Sequence, residues 1–202
     1  MKLSSARLLL IGTLSLGMIP LAAAGCTGKS PYMTPASRGG IEAAQDSATV
    51  VFVRPSQYGG ADRIVIMDGK GRFLGETMPG TYFATKMPAG DHVFLSWGEN
   101  TSAIKASLAA GKVYYVEAYG PTGPGTPRLE LRAVTLKSPG WGKVDGWLAS
   151  ANALQSEEAT GQAYLQQHGS GVESAIRHGN EEIAEYKPHE LSEHTLTAED
   201  GR

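Results

Sequence analysis

Apolar residues change their spacing along this chain, and each change marks a different kind of segment. From Leu8 to Ala24 they form one run, LLLIGTLSLGMIPLAAA, broken by Gly12, Gly17 and Pro20. Between Ala48 and Leu136 they alternate in short runs rich in Val, Ile, Tyr, Phe and Thr, each closed by Gly, Pro, Asp or Asn, which is the pattern of strands. After Ser138-Pro139-Gly140 the period becomes helical, with Val144, Trp147, Leu148, Ala151, Leu154 and Leu165 on one face.

The alternating region predicts eight strands: Thr49 to Arg54, Arg63 to Met67, Phe73 to Glu76, Thr81 to Lys86, His92 to Trp97, Ser102 to Leu108, Val113 to Tyr119 and Arg128 to Leu136. Asp68-Gly69-Lys70-Gly71 supplies residues that tolerate positive φ, as a hairpin turn requires, and Pro88-Ala89-Gly90-Asp91 and Ala109-Ala110-Gly111-Lys112 punctuate later pairs. Parallel neighbours need long crossovers, usually helical, and no long helical pattern interrupts the series, so the expectation is a mainly β fold, an antiparallel β-sandwich over 48–137.

A helical extension over 138–187 follows. Its second helix is expected to start at Ser170-Gly171-Val172-Glu173, which has capping-box form, and to carry Val172, Ala175, Ile176, Ile183 and Tyr186 as its apolar stripe until Lys187-Pro188. Gly179 interrupts that stripe. From Pro188 to Arg202 polar residues dominate, and the segment reads as a solvated tail.

The first apolar run has the layout of a secretory signal: Lys2 and Arg7 precede it, it ends on small residues, and it is too short and too broken for a spanning helix. The chain's one cysteine falls where the run ends, in Leu21-Ala22-Ala23-Ala24-Gly25-Cys26. That stretch resembles the lipobox of bacterial lipoproteins, with Ala23 standing where Leu is preferred. The resemblance implies a leader over 1–25, acyl chains on Cys26, and, with Thr27 next, an outer-membrane location facing the periplasm. Ala22-Ala23-Ala24 also offers an ordinary cleavage site, which would leave a soluble periplasmic protein. One acyl chain gives marginal membrane binding and two or more give stable anchoring. Residues 26–47, rich in Gly, Ser, Pro and Thr, read as a flexible tether with a span of about 25 Å.

Removing the leader takes two of 18 basic residues and none of 20 acidic ones, moving the formal net charge from −2 to −4. That argues against nucleic acid as a partner. With a single cysteine, no intrachain disulfide is available.

The strand region also resembles a known group. Val50-Val51-Phe52-Val53-Arg54-Pro55-Ser56, Asp68-Gly69 with Gly75-Glu76, Gly80-Thr81-Tyr82-Phe83, Pro88-Ala89-Gly90-Asp91-His92 and Ala110-Gly111-Lys112-Val113-Tyr114-Tyr115-Val116 occur in this order. Together they look like the bacterial domain-of-unknown-function family 2846, over Thr49 to Tyr119. The resemblance implies a small lipoprotein-borne β-domain, close in its strand-and-turn order to transthyretin-like and immunoglobulin-like modules, that serves as scaffold or interaction surface.

Candidate chemistry is sparse. His92 could act as a base or ligand; it reads more simply as a structural histidine bonded across the turn near Gly90. His168, His178, His189 and His194 lie among glutamates, but His189 and His194 are five apart and fit no helical zinc motif, so a metal-binding tail is a lesser alternative and no cofactor is expected. Gly69, Gly71 and Gly75 precede no helix and so make no phosphate loop. Trp97 and Trp141, with His92, are the candidate binding residues, and Trp147 is expected to dock its helix on the sheets. The leading expectation is a non-enzymatic, membrane-anchored module that binds or braces another envelope protein. The alternative is an envelope enzyme acting on glycan or peptide.

Overall fold

The computed structural model describes residues 30–39, 41–56, 63–120 and 129–202. The expected leader, Cys26 and most of the Gly120 to Gly125 loop therefore lie outside the described residues. In chain order the elements are β1 (Met33–Pro35), β2 (Ala48–Arg54), β3 (Ile64–Asp68), β4 (Phe73–Thr77), β5 (Thr81–Met87), β6 (Gly90–Trp97), β7 (Thr101–Leu108), β8 (Val113–Tyr119) and β9 (Glu130–Ala133). They continue with α1 (Val144–Ser150), β10 (Asn152–Ser156), α2 (Glu158–Gln167), α3 (Gly169–Glu185), α4 (Pro188–Leu191) and β11 (Thr195–Leu196).

The protein is mainly β, built on two open, mixed sheets. One has the order β1-β10-β5-β2-β8-β9 and the other β11-β7-β6-β3-β4. Val50, Phe52, Phe83 and Val116 of the first meet Ile66, Leu74, Phe94 and Ile104 of the second in one buried cluster. Phe52 stacks on Phe83 with ring centroids 5.2 Å apart and meets Phe94 edge-on at 5.4 Å. Such pairs are each worth about 0.5–1.5 kcal/mol beyond the area they bury.

The outer faces are covered as well. Val51, Val53, Val113 and Tyr115 pack under Val144 of α1, with Trp141, Trp147 and Leu148 half-buried beside them. Val65, Met67, Phe73 and Leu95 pack under Leu165 of α2 and Val172, Ala175 and Ile183 of α3. A strand covered on both faces needs no alternation, and β2, Ala-Thr-Val-Val-Phe-Val-Arg, is buried at every position.

The expectation of an exclusively antiparallel fold is corrected: β8 runs parallel to β2, β10 to β5 and β11 to β7. Among the described residues no helix joins β2 to β8. The chain crosses instead to the other sheet and back, so strands of the facing sheet do the work of a crossover helix.

The helical period after Gly140 is corrected too. Val144, Trp147 and Leu148 do lie on α1, but Leu154 belongs to β10 and packs between the sheets, while Leu165 lies on α2 over the opposite outer face. The helix α3 begins at Gly169 with His168 as its N-cap and no side-chain cap, so the box at Ser170 to Glu173 is not made.

The segment read as a free tether is bound to the fold over its described part. Met33 is buried and β1 pairs antiparallel with β10, and Thr49 Oγ1 donates to the Glu42 carbonyl at 2.8 Å. The polar tail is likewise built in. Leu196 is fully buried on β11, and Arg202 exchanges backbone hydrogen bonds with Val113, its N–H donating at 3.1 Å and its carbonyl accepting at 2.7 Å.

Candidate functional site

The turn between β6 and β7 and the helix α3 enclose a recess of about 560 Å³. Its walls include Trp97, Glu99 and Asn100 from the turn, Glu130 at the start of β9, and His178 and Glu182 from α3.

Its floor is tied across the two sheets. The Asn100 amide donates to the Leu129 carbonyl at 3.0 Å, and its oxygen accepts from the Leu129 N–H at 3.1 Å. Ser102 Oγ accepts from the Leu131 N–H at 3.1 Å, while the Ser102 N–H donates to Ser96 Oγ at 3.1 Å. Each bond satisfies a group that would otherwise be stranded where the sheets diverge.

Glu182 supplies the site's unusual electrostatics. It lies three residues beyond Gly179, on the side of α3 turned to the sheet, and its Oε2 is buried with no hydrogen-bond partner. Burial pushes its carboxyl above the ordinary carboxylate range, against the opposing pull of the Tyr186 hydroxyl, His194 and the Ala103 backbone. Tyr186, one turn on, donates its hydroxyl to the Ala103 carbonyl at 3.1 Å and stacks on His194 with centroids 4.3 Å apart. Burial, and then the Glu182 charge, push the Tyr186 phenol up. His194 is fixed in turn, since its Nδ1–H donates to the Glu190 carbonyl at 2.8 Å.

A second cluster flanks the recess. The Trp97 ring lies 5.9 Å from that of Tyr164 and 5.9 Å from that of His168, and Tyr164 lies 4.9 Å from Tyr32. Tyr32, Trp97 and Tyr164 are half-buried, so the row is packed on one side and open on the other.

The candidates named from sequence are not gathered into one place. Trp97 lines the recess. His92 sits near the other end of β6, where its Nε2–H donates to the Pro88 carbonyl at 2.8 Å and its ring lies parallel to Phe94. Trp141 lies on the outer face of the other sheet, beneath the Arg202 guanidinium at 5.6 Å. Among the described residues no group of three or more His, Cys, Asp or Glu side chains is placed to hold a metal ion.

Sequence reading gave Tyr186 only a place in the apolar stripe and did not single out Glu182 or Tyr164. For Glu182 a signal was present: a carboxylate three residues after Gly179 and one before Ile183 falls on the stripe that α3 buries.

No family model, no curated protein and no solved structure matches this chain. The class it belongs to is therefore defined by its own architecture: a mixed two-sheet β protein with helices over both outer faces.

Proposed function

We propose that this chain is a lipid-anchored protein of the cell envelope, held through Cys26 on the outer membrane facing the periplasm. Its β-sandwich binds or braces another envelope protein without catalysing a reaction. The observation that carries the reading is the placement of the chain's one cysteine at the end of the apolar, small-residue run from Leu8 to Gly25. The likeness of Thr49 to Tyr119 to family 2846, and through it to transthyretin-like and immunoglobulin-like modules, points the same way. The recess between the β6–β7 turn and α3 supports it further, since a half-buried tryptophan over a rigid polar floor suits holding a partner's side chain.

The test is acyl labelling of the wild-type protein and of Cys26→Ser in cells, followed by crosslinking and identification of partners. Label on the wild type alone, with a crosslink weakened by Trp97→Ala, supports the reading. A wild-type protein that takes up no label and begins at an unmodified residue overturns the anchor.

One observation favours a second reading, an enzyme acting on glycan or peptide. Glu182, whose carboxyl burial raises above the ordinary range, shares the recess with Glu99 and Glu130, and an upward shift of this kind is what a carboxyl acting as general acid needs. Hydrolysis of cell-wall glycan or peptide that is lost in Glu182→Gln would establish it.

A further inference from the structure

We propose that Tyr32 and Tyr164, in the row that ends at Trp97 on the rim of the recess, form the surface on which this protein rests against the lipid headgroups of its own membrane. The inference deepens the anchor reading and rests on it.

The first argument is reach. A loose linker of some twenty residues would let the domain tumble clear of the bilayer, but the fold captures the chain far earlier than that. Ser30 is buried, its Oγ accepts from the Tyr32 N–H at 3.0 Å, and the Tyr32 carbonyl accepts from the Glu157 N–H at 2.8 Å. Ser30 is four residues beyond Cys26. Four residues of fully extended chain span at most about 14 Å. The two headgroup layers add roughly 10–15 Å to the hydrocarbon core, so each is about 5–8 Å deep. An acylated Cys26 at the inner edge of that layer leaves the surface around Ser30 no more than about 6–9 Å above it.

The second argument is independent and chemical. The surface next to Ser30 is not a random polar one. Tyr32 sits two residues on, its ring 6.0 Å from buried Phe73 and 4.9 Å from Tyr164, and Tyr164 continues to Trp97. Tyrosine and tryptophan carry an apolar ring and a polar tip, which is why they collect where hydrocarbon gives way to headgroups. Here they are half-buried and contiguous, on the face that the short link brings to the membrane. A second copy or a protein partner could also cover such a row, but neither would explain why it begins six residues from the anchoring cysteine.

The far end of β6 offers a control position. Asp91 is exposed and lies six residues from Trp97 along β6, about 20 Å at the rise of a strand.

The test uses the full-length protein, expressed in cells and purified with its acyl chains. Acylation occupies the Cys26 thiol, so an introduced cysteine is the one free thiol. A fluorophore is placed by Gln167→Cys, on the exposed end of α2 three residues from Tyr164, or by Asp91→Cys as control. Each protein is reconstituted into vesicles of phosphatidylethanolamine and phosphatidylglycerol that contain a headgroup-spin-labelled lipid. The expected result is loss of fluorescence at position 167 and none at 91, with the loss at 167 reduced when Tyr32 and Tyr164 are both changed to Ser. Equal loss at both positions, the reverse order, or self-quenching at 167 without lipid quenching would overturn the proposal, the last by assigning the row to a second copy. The mass of the N-terminal peptide is measured on the same sample. An unacylated peptide means that the anchor reading has failed, whereas an acylated peptide without the contrast means that the orientation has.

Discussion

Gly179 of α3 lies against Leu95 of β6 so closely that a methyl group on the glycine would overlap Leu95 Cδ2 and come within 3.2 Å of Ala103 Cβ. Glycine in mid-helix costs about 1 kcal/mol relative to alanine, so Gly179→Ala would stabilise an isolated helix. Here the sheet decides the sign. Leu95 is fully buried, and overpacking of this kind costs about 1–3 kcal/mol. Gly179→Ala should therefore lower the thermal midpoint.

Gly161 of α2 makes the matching contact with Phe73, where an added methyl would overlap three atoms of the ring. A leucine can rotate its end away, but a buried aromatic ring has to move as a whole. Gly161→Ala is expected to be the more damaging of the two substitutions, and chemical denaturation of both variants side by side checks the order.

These two glycines show how far the sequence could be read. All eight expected strands have counterparts with every end within three residues, because alternating Val, Ile and Phe between Gly and Asp turns is a local signal. The antiparallel expectation was only partly right, because whether β8 lies beside β2 is settled by chain that passes through the other sheet, which no local period records. β1 and β11 escaped notice because strands of three and two residues carry no periodicity; what fixes them is one buried residue each, Met33 and Leu196. Gly179 looked like a fault in a helical stripe and is a point of close helix-to-sheet approach. At the candidate site Trp97 was legible, whereas Glu182 stands among exposed glutamates and only the face of α3 it occupies distinguishes it.

That placement of Glu182 has a pH consequence. Its folded carboxyl is raised above the ordinary value of 4.5, so the folded state holds a proton that the unfolded state releases first. Stability attributable to this group is full below pH 4.5 and falls as pH rises toward the folded-state value, above which the loss is complete. Glu182→Gln removes the ionisation. The variant should gain stability relative to wild type as pH rises above 4.5, with little difference below it, as read from denaturation midpoints across that range.

Trp147 tests the opposite outer face. It packs half-buried against the cluster of Val51, Val53 and Tyr115, and its ring reaches the backbone at Gly140. Truncating a fully buried Trp costs about 3–5 kcal/mol, so a half-buried one should cost less while still lowering the midpoint clearly. If Trp147→Ala instead leaves stability intact and abolishes a crosslink to another protein, this surface is an interface rather than a helix dock.

The carboxylate of Asp200 binds the end of the chain to the sheets through three donors. Its Oδ1 accepts from the Leu136 N–H at 3.0 Å, and its Oδ2 accepts from the Thr197 N–H at 2.8 Å and the Thr197 hydroxyl at 2.7 Å. Replacing it with alanine removes all three bonds; Leu136 and Thr197 are exposed, so water takes up part of the loss, and each bond is worth about 0.5–1.5 kcal/mol net. The loss should spread beyond the local turn. Leu196 belongs to the inter-sheet cluster, and Lys112 and Tyr114 both donate to the Ala198 carbonyl, at 2.8 and 3.2 Å. Asp200→Ala is thus expected to lower the global unfolding midpoint, and a chain ended after Glu185 should unfold at a lower midpoint still, because it lacks β11 and leaves the β7 edge bare. Asp200→Asn keeps an acceptor and should recover part of the loss, so that unfolding of the three proteins in parallel separates the hydrogen bonds from the burial of Leu196. If all three match wild type, the segment after Pro188 is not part of the folded unit, and Thr49 to Leu136 should then fold without it.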